Sequence, residues 1–304
     1  MNIVILGAGA LGAYFGARWE EAGQNVTFLV REKRARKMEE SGLYIHNEQG
    51  DYSIDNPKIA QKVEEIENPD LVLLSVKGYH LEGTLESLEE LVAKGAKVLP
   101  ILNGVEHIST LQTRLGKENV LGGLSFIIAT LDDNGGVLHS SKFHDLVFGP
   151  LDSSQRELCE QLLSVSERAN FQANLSLQIN EAMWNKYMFI NAFSGITAAA
   201  NLPIGEIRKH QETFRIAELV LKEMKDLANK HGIELTDDHI NHAVENLKSL
   251  GDEATSSMHQ DRRKRLTLEV EHLHGGALRL ADAVGMTLPY TETIYALIKP
   301  YENQ

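Results

Sequence analysis

The chain has 304 residues, with 30 Lys+Arg against 43 Asp+Glu and a net charge of −13, so nucleic acid and anionic membrane are not expected partners. Its single cysteine, Cys159, rules out an internal disulfide and reads as a packed thiol in the amphipathic stretch RELCEQLL. MNIVILGAG has no basic leader, and no apolar run reaches the ~20 residues of a membrane span, so a cytoplasmic protein of about two domains is expected.

The first half alternates short apolar runs with helical patterns. NIVIL (2–6) and NVTFLV (25–30) flank a helix-like segment over 10–22. DLVLLSV (70–76), AKVLPILN (96–103) and NVLGGLSFIIAT (119–130) continue the series. Strands separated by helices predict an α/β fold, a doubly wound parallel sheet of Rossmann type. GGVLHSSKFHDLVFG (135–149) reads as two strands added antiparallel. The texture then changes, and helices are predicted near 178–200, 211–231, 237–249, 258–285 and 290–299. The expected division is 1–168, a dinucleotide-binding domain, and 169–304, an all-α domain for substrate and dimerisation.

The first loop holds Gly7, Ala8, Gly9, Ala10, Leu11 and Gly12, the G-x-G-x-x-G spacing between a strand and a helix. Gly7 allows the tight turn, Gly9 lets backbone approach a pyrophosphate, and Gly12 lets the helix lie close on the sheet. The helix N-terminus then presents unpaired N–H groups to phosphate. At the end of the second strand, where an acidic residue would take the ribose hydroxyl of NAD, stands Arg31 in FLVREKRAR. A guanidinium suits a 2′-phosphate, so NADPH/NADP is the expected cofactor, although Glu32 leaves NAD open.

From Tyr187 to Ala200 almost every residue is apolar or small, which predicts a buried helix, yet Lys186 stands at its start. Taken alone, Lys186 fits a lysine snorkelling from a helix end. Leu266, Val270, Leu273, Ala277 and Leu280 mark an apolar stripe on the predicted helix 258–285, with Glu269 at its border. Glu269 either pairs with Lys186 or forms an exposed i,i+4 pair with Arg265, and spacing leaves both open. Ser257 begins SMHQ, an S-x-x-Q capping box, and a helix start also suits an anion.

Gly7–Gly12, VKGYH with Lys77, LNG with Asn103, WNK with Lys186, and SSMHQD…LTLE with Ser257 and Glu269 occur in this order. Together they resemble ketopantoate reductase (2-dehydropantoate 2-reductase) over essentially the whole chain. The resemblance implies NADPH-dependent reduction of ketopantoate to pantoate, toward pantothenate and coenzyme A. It also implies a Rossmann domain followed by a helical one, with the active site between them. By resemblance Lys186 is the general acid, Glu269 a cleft carboxylate that also meets the cofactor, and Ser257 a substrate-binding serine. Lys77 and Asn103 match residues near the nicotinamide, Asn103 with a share in substrate binding, and Ala129 matches a further cofactor contact. The chemistry agrees: hydride addition to a ketone creates an alkoxide that needs a proton, and a lysine tuned by burial can give it.

The chain departs from the family pattern where asparagines stand four and eight residues after the lysine. Those positions are Ile190 and Ser194, and Asn191 lies one residue further round the helix. Asn191 and Ser194 are still candidate substrate contacts, and Thr197 returns to the lysine's face. Two alternatives follow: a reductase of another small 2-oxo acid, or a nicotinamide-binding sensor without turnover. The sensor reading leaves a proton donor without purpose. No metal site is expected, since His239 and His242 lack a third ligand. RRKR (262–265) reads as a solvated helix face or an interface, and the apolar helical half suggests a homodimer.

Overall fold

The computed structural model describes residues 1–47 and 50–303. The chain forms two compact units, one of residues 1–102 and 107–179, the other of residues 103–106 and 180–304.

The first unit begins with β1 (Asn2–Leu6), α1 (Ala10–Glu21), β2 (Asn25–Leu29), α2 (Glu32–Ser41), β3 (Leu43–Asn47), β4 (Tyr52–Ile54), β5 (Ile59–Ala60) and β6 (Leu71–Leu74). It continues with α3 (Leu85–Ala93), β7 (Lys97–Pro100), α4 (Glu106–Leu115), β8 (Gly122–Leu131), β9 (Val137–Gly149), α5 (Arg156–Ser166) and β10 (Gln172–Leu175). Five strands form a fully parallel sheet in the order β5-β2-β1-β6-β7. The order reverses direction at β1 and β6, which is the switch point where doubly wound sheets bind ligands.

Both faces of this sheet are covered. Ile3, Ile5, Leu71 and Leu73 join one core with Tyr14, Phe15 and Trp19 of α1. Val4, Leu6, Val72 and Leu74 join the other with Leu85, Leu88 and Leu91 of α3. That is why these strands are continuous apolar runs and not alternations: successive side chains point to opposite faces, and both faces are dry.

Two strand expectations are corrected. β8 does not extend the parallel sheet; Val120, just before it, makes a parallel bridge to Val98 of β7, and β8 itself pairs antiparallel with β9. Residues 135–149 do not make two strands. They give one long strand, β9, antiparallel to β8 and parallel to β3 and β10. The β8–β9 register shifts between Ile127 and Ala129, where β9 passes from His144 to His139. The β3–β4 hairpin and β10 were not anticipated, because short two-sided strands carry little periodic signal.

The second unit holds α6 (Ile179–Ala200), α7 (Ile204–Arg208), α8 (Gln211–Lys230), α9 (Asp237–Ser249), α10 (Ser257–Arg263), α11 (Gly276–Ala283) and α12 (Pro289–Ile298). α12 starts at a proline, and the buried Glu223 of α8 accepts 2.8 Å bonds from the Tyr290 and Thr291 N–H groups. A carboxylate on a helix N-terminus satisfies orphan donors and favours the dipole. Among the described residues, no helix is long and apolar enough to cross a membrane.

The single helix expected over 258–285 is also corrected. α10 ends at Arg263, Arg265 adopts a left-handed φ of 54°, and Leu268 N–H bonds the Glu302 carbonyl at 2.9 Å. Helix resumes at Val270 with a π-helical turn, Glu271–Gly275, leading into α11. The apolar spacing ran across this break unaltered. Leu266, assigned to the stripe, is 51 % exposed. The run Arg262–Arg265 suits a helix C-terminus, where cations meet the negative end of the dipole, better than a helix interior.

Candidate active site

In the sheet unit, the glycine loop is built by close approach. Gly7 has φ +99°, and a Cβ there would stand 2.7 Å from Val76 Cγ1. Ser75 Oγ donates to the Gly7 carbonyl at 2.7 Å, tying the β1 loop to the end of β6. A Cβ on Gly12 would collide with Ser75 Oγ and the Gly7 carbonyl, so only glycine lets α1 sit here. Around Gly9 there is open space, with nothing within 4 Å of where a Cβ would be. Gly9 is also the N-cap of α1 and carries no side chain to fill that role. Ala8 is buried, while Ala10 and Leu11 start the helix half-buried. An open glycine before an uncapped helix N-terminus fits a dinucleotide pyrophosphate.

Arg31 is exposed and forms the N-cap of α2, directly after β2 and Val30. Its neighbour Arg34 acts differently. Its Nε donates to the Ala8 carbonyl at 2.9 Å and its Nη1 to the Gly135 carbonyl at 2.8 Å, so it props the glycine loop. Lys77 is half-buried and opens the helical turn Gly78–His80 after β6. Ala129 lies on β8 opposite His139, beside the register shift.

In the helical unit, Lys186 occupies the second turn of α6, half-buried. Desolvation pulls its pKa down from 10.5 to about 8, and the negative charge of Glu269 opposes that fall. Glu269 is buried and sits just before helix resumes at Val270, not within a helix as the stripe implied. The exposed pair with Arg265 is therefore not formed; of the two roles open to Glu269, the structure supports the one facing Lys186.

Around this pair the structure gathers residues that the sequence reading did not single out. His272 makes a hydrogen bond with the backbone of Asn103, and burial keeps its pKa below the usual histidine value against the charge of Glu269. Tyr187 donates to the Leu273 carbonyl at 2.6 Å. Gly104, at φ +90°, would place a Cβ 3.7 Å from the Tyr187 ring and 3.8 Å from His272 Nε2. Asn103, expected near the nicotinamide, thus groups with Lys186 and Glu269 in the same unit. The overlooked signal was the pair Gly275–Gly276 inside a helical pattern, which marks close backbone approach.

The remaining candidates are placed as follows. Asn191 is fully buried; its Nδ2 donates to the Tyr187 carbonyl at 3.1 Å, and its own carbonyl accepts from His274 Nε2 at 3.0 Å. Ser194 is buried. Thr197 bonds the Phe193 carbonyl at 2.6 Å and Ser256 at 3.0 Å. Ser257 is not the cap of α10. That role belongs to Ser256, whose Oγ accepts from His259 N–H at 3.1 Å, and Ser257 is left exposed at the first helical position. His239 serves as a helix-start residue, its Nδ1 accepting from the Thr236 N–H at 3.1 Å. Cys159 is buried in α5, its thiol pKa pushed up to about 11 by burial.

A doubly wound parallel sheet with a glycine loop at its switch point is the architecture of dinucleotide-binding proteins, and here it is joined in one chain to a helical unit carrying a desolvated lysine and a carboxylate, the parts of an oxidoreductase. Residues 3–153 match the family described as ketopantoate reductase PanE/ApbA, and residues 178–302 match its C-terminal counterpart. The chain belongs to the ketopantoate reductase family. It is 32 % identical to the uncharacterized oxidoreductase YkpB of Bacillus subtilis, over the full length of both chains. It is 28 % identical to a 2-dehydropantoate 2-reductase of Pyrococcus abyssi, covering 99 % of this chain and 98 % of that one. The crystal structure of 2-dehydropantoate 2-reductase from Geobacter metallireducens superposes with a TM-score of 0.91 at 25 % identity, covering 99 % of both chains.

Proposed function

We propose that this protein is an NADPH-dependent reductase of a small 2-oxo acid, with ketopantoate as the substrate and pantoate as the product. The observation that carries the reading is Lys186, whose ammonium is held near pKa 8 by burial against the charge of Glu269. A lysine with that pKa is mostly protonated at neutral pH and gives up its proton readily, as a general acid must.

NADPH, when bound, supplies the hydride. The residues that would hold it are Gly7, Ala8, Gly9, Ala10, Leu11 and Gly12 at the pyrophosphate, and Arg31 at the 2′-phosphate. Lys77 and Asn103 would hold it at the nicotinamide end, with Ala129 and Glu269 as further contacts. Lys186 Nζ donates a proton to the oxygen of the C2 carbonyl as negative charge develops there. Glu269 keeps the ammonium charged before the transfer. Ser257 and Asn103 bind substrate, with Ser194 and Asn191 as further candidates.

A second reading keeps the chemistry and changes the acid. Ile190 and Ser194 stand where the family pattern has asparagines, which favours a less polar 2-oxo acid than ketopantoate. A homodimer formed through the helical half belongs to either reading and is checked by sedimentation velocity.

The deciding experiment is NADPH oxidation by the purified protein with ketopantoate, run beside other 2-oxo acids and beside NADH. Turnover with ketopantoate and NADPH is expected. Turnover on a different acid moves the assignment to the second reading. Tight NADPH binding without turnover on any acid overturns both in favour of a sensor. Arg31→Ala tests the cofactor separately: loss of one charge-assisted contact should weaken NADPH by about 10–100-fold. NADH binding should change by less than about threefold, and equal losses for both cofactors would remove the 2′-phosphate role.

A further inference from the structure

Residues Asn103–Glu106 group with the helical unit although Leu102 and His107 on either side group with the sheet unit. Arg279 of α11 is bonded to the last of these four residues. Its Nε and Nη2 donate to the two carboxylate oxygens of Glu106, both at 2.8 Å, a bidentate fork. The same guanidinium bonds the Glu271 carboxylate through Nη1 and the Glu271 carbonyl at 3.2 Å. Glu271 is itself held by Tyr295 Oη and Lys299 Nζ, each at 2.7 Å.

The backbone is shaped to admit this network. Glu271–Gly275 forms a π-helical turn, an irregularity frequent at functional sites. A Cβ on Gly275 would stand 2.8 Å from Glu271 Oε1, and one on Gly276 would stand 3.2 Å from Glu106 Oε2. Two adjacent glycines are unfavourable in a helix, so their presence answers a close approach. Stability alone does not account for the arrangement, because Arg279 and Glu271 are 48 % and 44 % exposed, and pairs so exposed contribute little. What the network does fix is geometry. It seats Asn103–Glu106 where the Asn103 backbone meets His272 and Gly104 packs on Tyr187. Tyr187 adjoins Lys186, and His272 follows Glu269 by one helical turn.

We propose that Arg279 is a positioning residue of the reductase site: by holding Glu106 and Glu271 together it sets the register of Asn103 against Lys186 and Glu269. This rests on the reductase reading above. No pairwise contact between Arg279 and the substrate is invoked; Arg279 acts through Glu106 and Asn103.

The test uses the full-length Arg279→Met, Arg279→Lys and Glu106→Gln proteins. In Arg279→Met, kcat on the preferred 2-oxo acid should fall by about 10–100-fold, the scale of a misplacement near 1 Å. The Kd for NADPH should weaken by less than about tenfold, a smaller change than in kcat, since the Asn103 contact shifts while the glycine loop and Arg31 are untouched. Arg279→Lys, which keeps the charge and loses the fork, should fall between wild type and Arg279→Met, with Glu106→Gln close to it. Hydrogen exchange at residues 103–106 should quicken in Arg279→Met while α6 keeps its protection. Wild-type kcat in Arg279→Met with unchanged exchange at 103–106 overturns the proposal. So does a loss of protection spread over the whole helical unit, which would make Arg279 structural. If the wild type reduces no 2-oxo acid, the reductase reading fails, and the exchange at 103–106 still decides whether Arg279 seats this segment.

Discussion

Lys186 experiences two opposed influences, and their balance sets what it can do. Burial favours the neutral amine; Glu269 favours the ammonium; the outcome is a pKa near 8. Because the donor must be protonated, kcat should be flat at neutral pH and decline as pH rises through about 8. Lys186→Ala should lower kcat by about 10²–10⁴-fold and abolish that alkaline limb. Glu269→Gln leaves burial unopposed, so the limb should move to lower pH. Steady-state rates between pH 6 and 10 for the three proteins check this, and a limb that stays in place without Glu269 would dissociate the pair. The sequence made Lys186 conspicuous, since an ammonium at the edge of a fourteen-residue apolar run calls for a partner. It left that partner undecided: Glu269 is remote in the chain, and the local alternative with Arg265 had equal standing until the helix was found to break between them.

The start of α10 separates two adjacent serines by task. Ser256 is buried, caps the helix and bonds Thr197, whereas Ser257 is exposed and caps nothing. Ser256→Ala should therefore cost about 1 kcal/mol of stability. Ser257→Ala should leave the denaturation midpoint unchanged and raise KM for the 2-oxo acid. Urea unfolding alongside substrate titration distinguishes them, and a stability loss at Ser257 with no change in KM would return that residue to a purely structural role. The S-x-x-Q spacing identified the right turn of the chain and the wrong serine, because two adjacent serines offer the same chemistry one residue apart. The first loop was read more securely. Gly7, Gly9 and Gly12 have distinct steric duties, and each is visible in the spacing itself. By contrast, the antiparallel addition expected over 135–149 is present, but as one strand and with β8 as its partner outside the parallel sheet, since strand composition does not say which edge a strand will join.

At the scale of the molecule, the helical unit buries a histidine that acid should expose. His274 is fully buried, its Nε2–H bonded to the Asn191 carbonyl, and desolvation holds its pKa down to about 4. The unfolded chain has the ordinary value near 6.5 and binds a proton more readily than the native one. Stability from this group is thus complete above about pH 6.5 and is lost as pH falls from there toward about 4, on the order of 3 kcal/mol in all. Glu271 adds only a small second loss at lower pH, because its ion-pair partners are well exposed. Its pKa is lowered to about 2, chiefly by Lys299, so its contribution is present above about 4.5 and disappears as pH falls through about 2. Chemical denaturation at pH 7, 5.5 and 4 should show the first slope, and a His274→Gln variant should flatten it. An unaltered slope in that variant would place the acid sensitivity elsewhere.

By itself the sequence determined the two textures of this chain, the parallel sheet with its glycine loop, and the lysine just before the apolar run. Those features rest on local rules: apolar periodicity, the steric needs of glycine, and the cost of burying charge. Only the tertiary structure decided that the charge of Glu269 acts on Lys186, that residues 103–106 group with the helices, and that Arg279 bonds Glu106. Each of those joins groups far apart in the chain. Pairings of that kind depend on which backbones approach closely enough to leave no other partner, and no spacing along the sequence carries that distance.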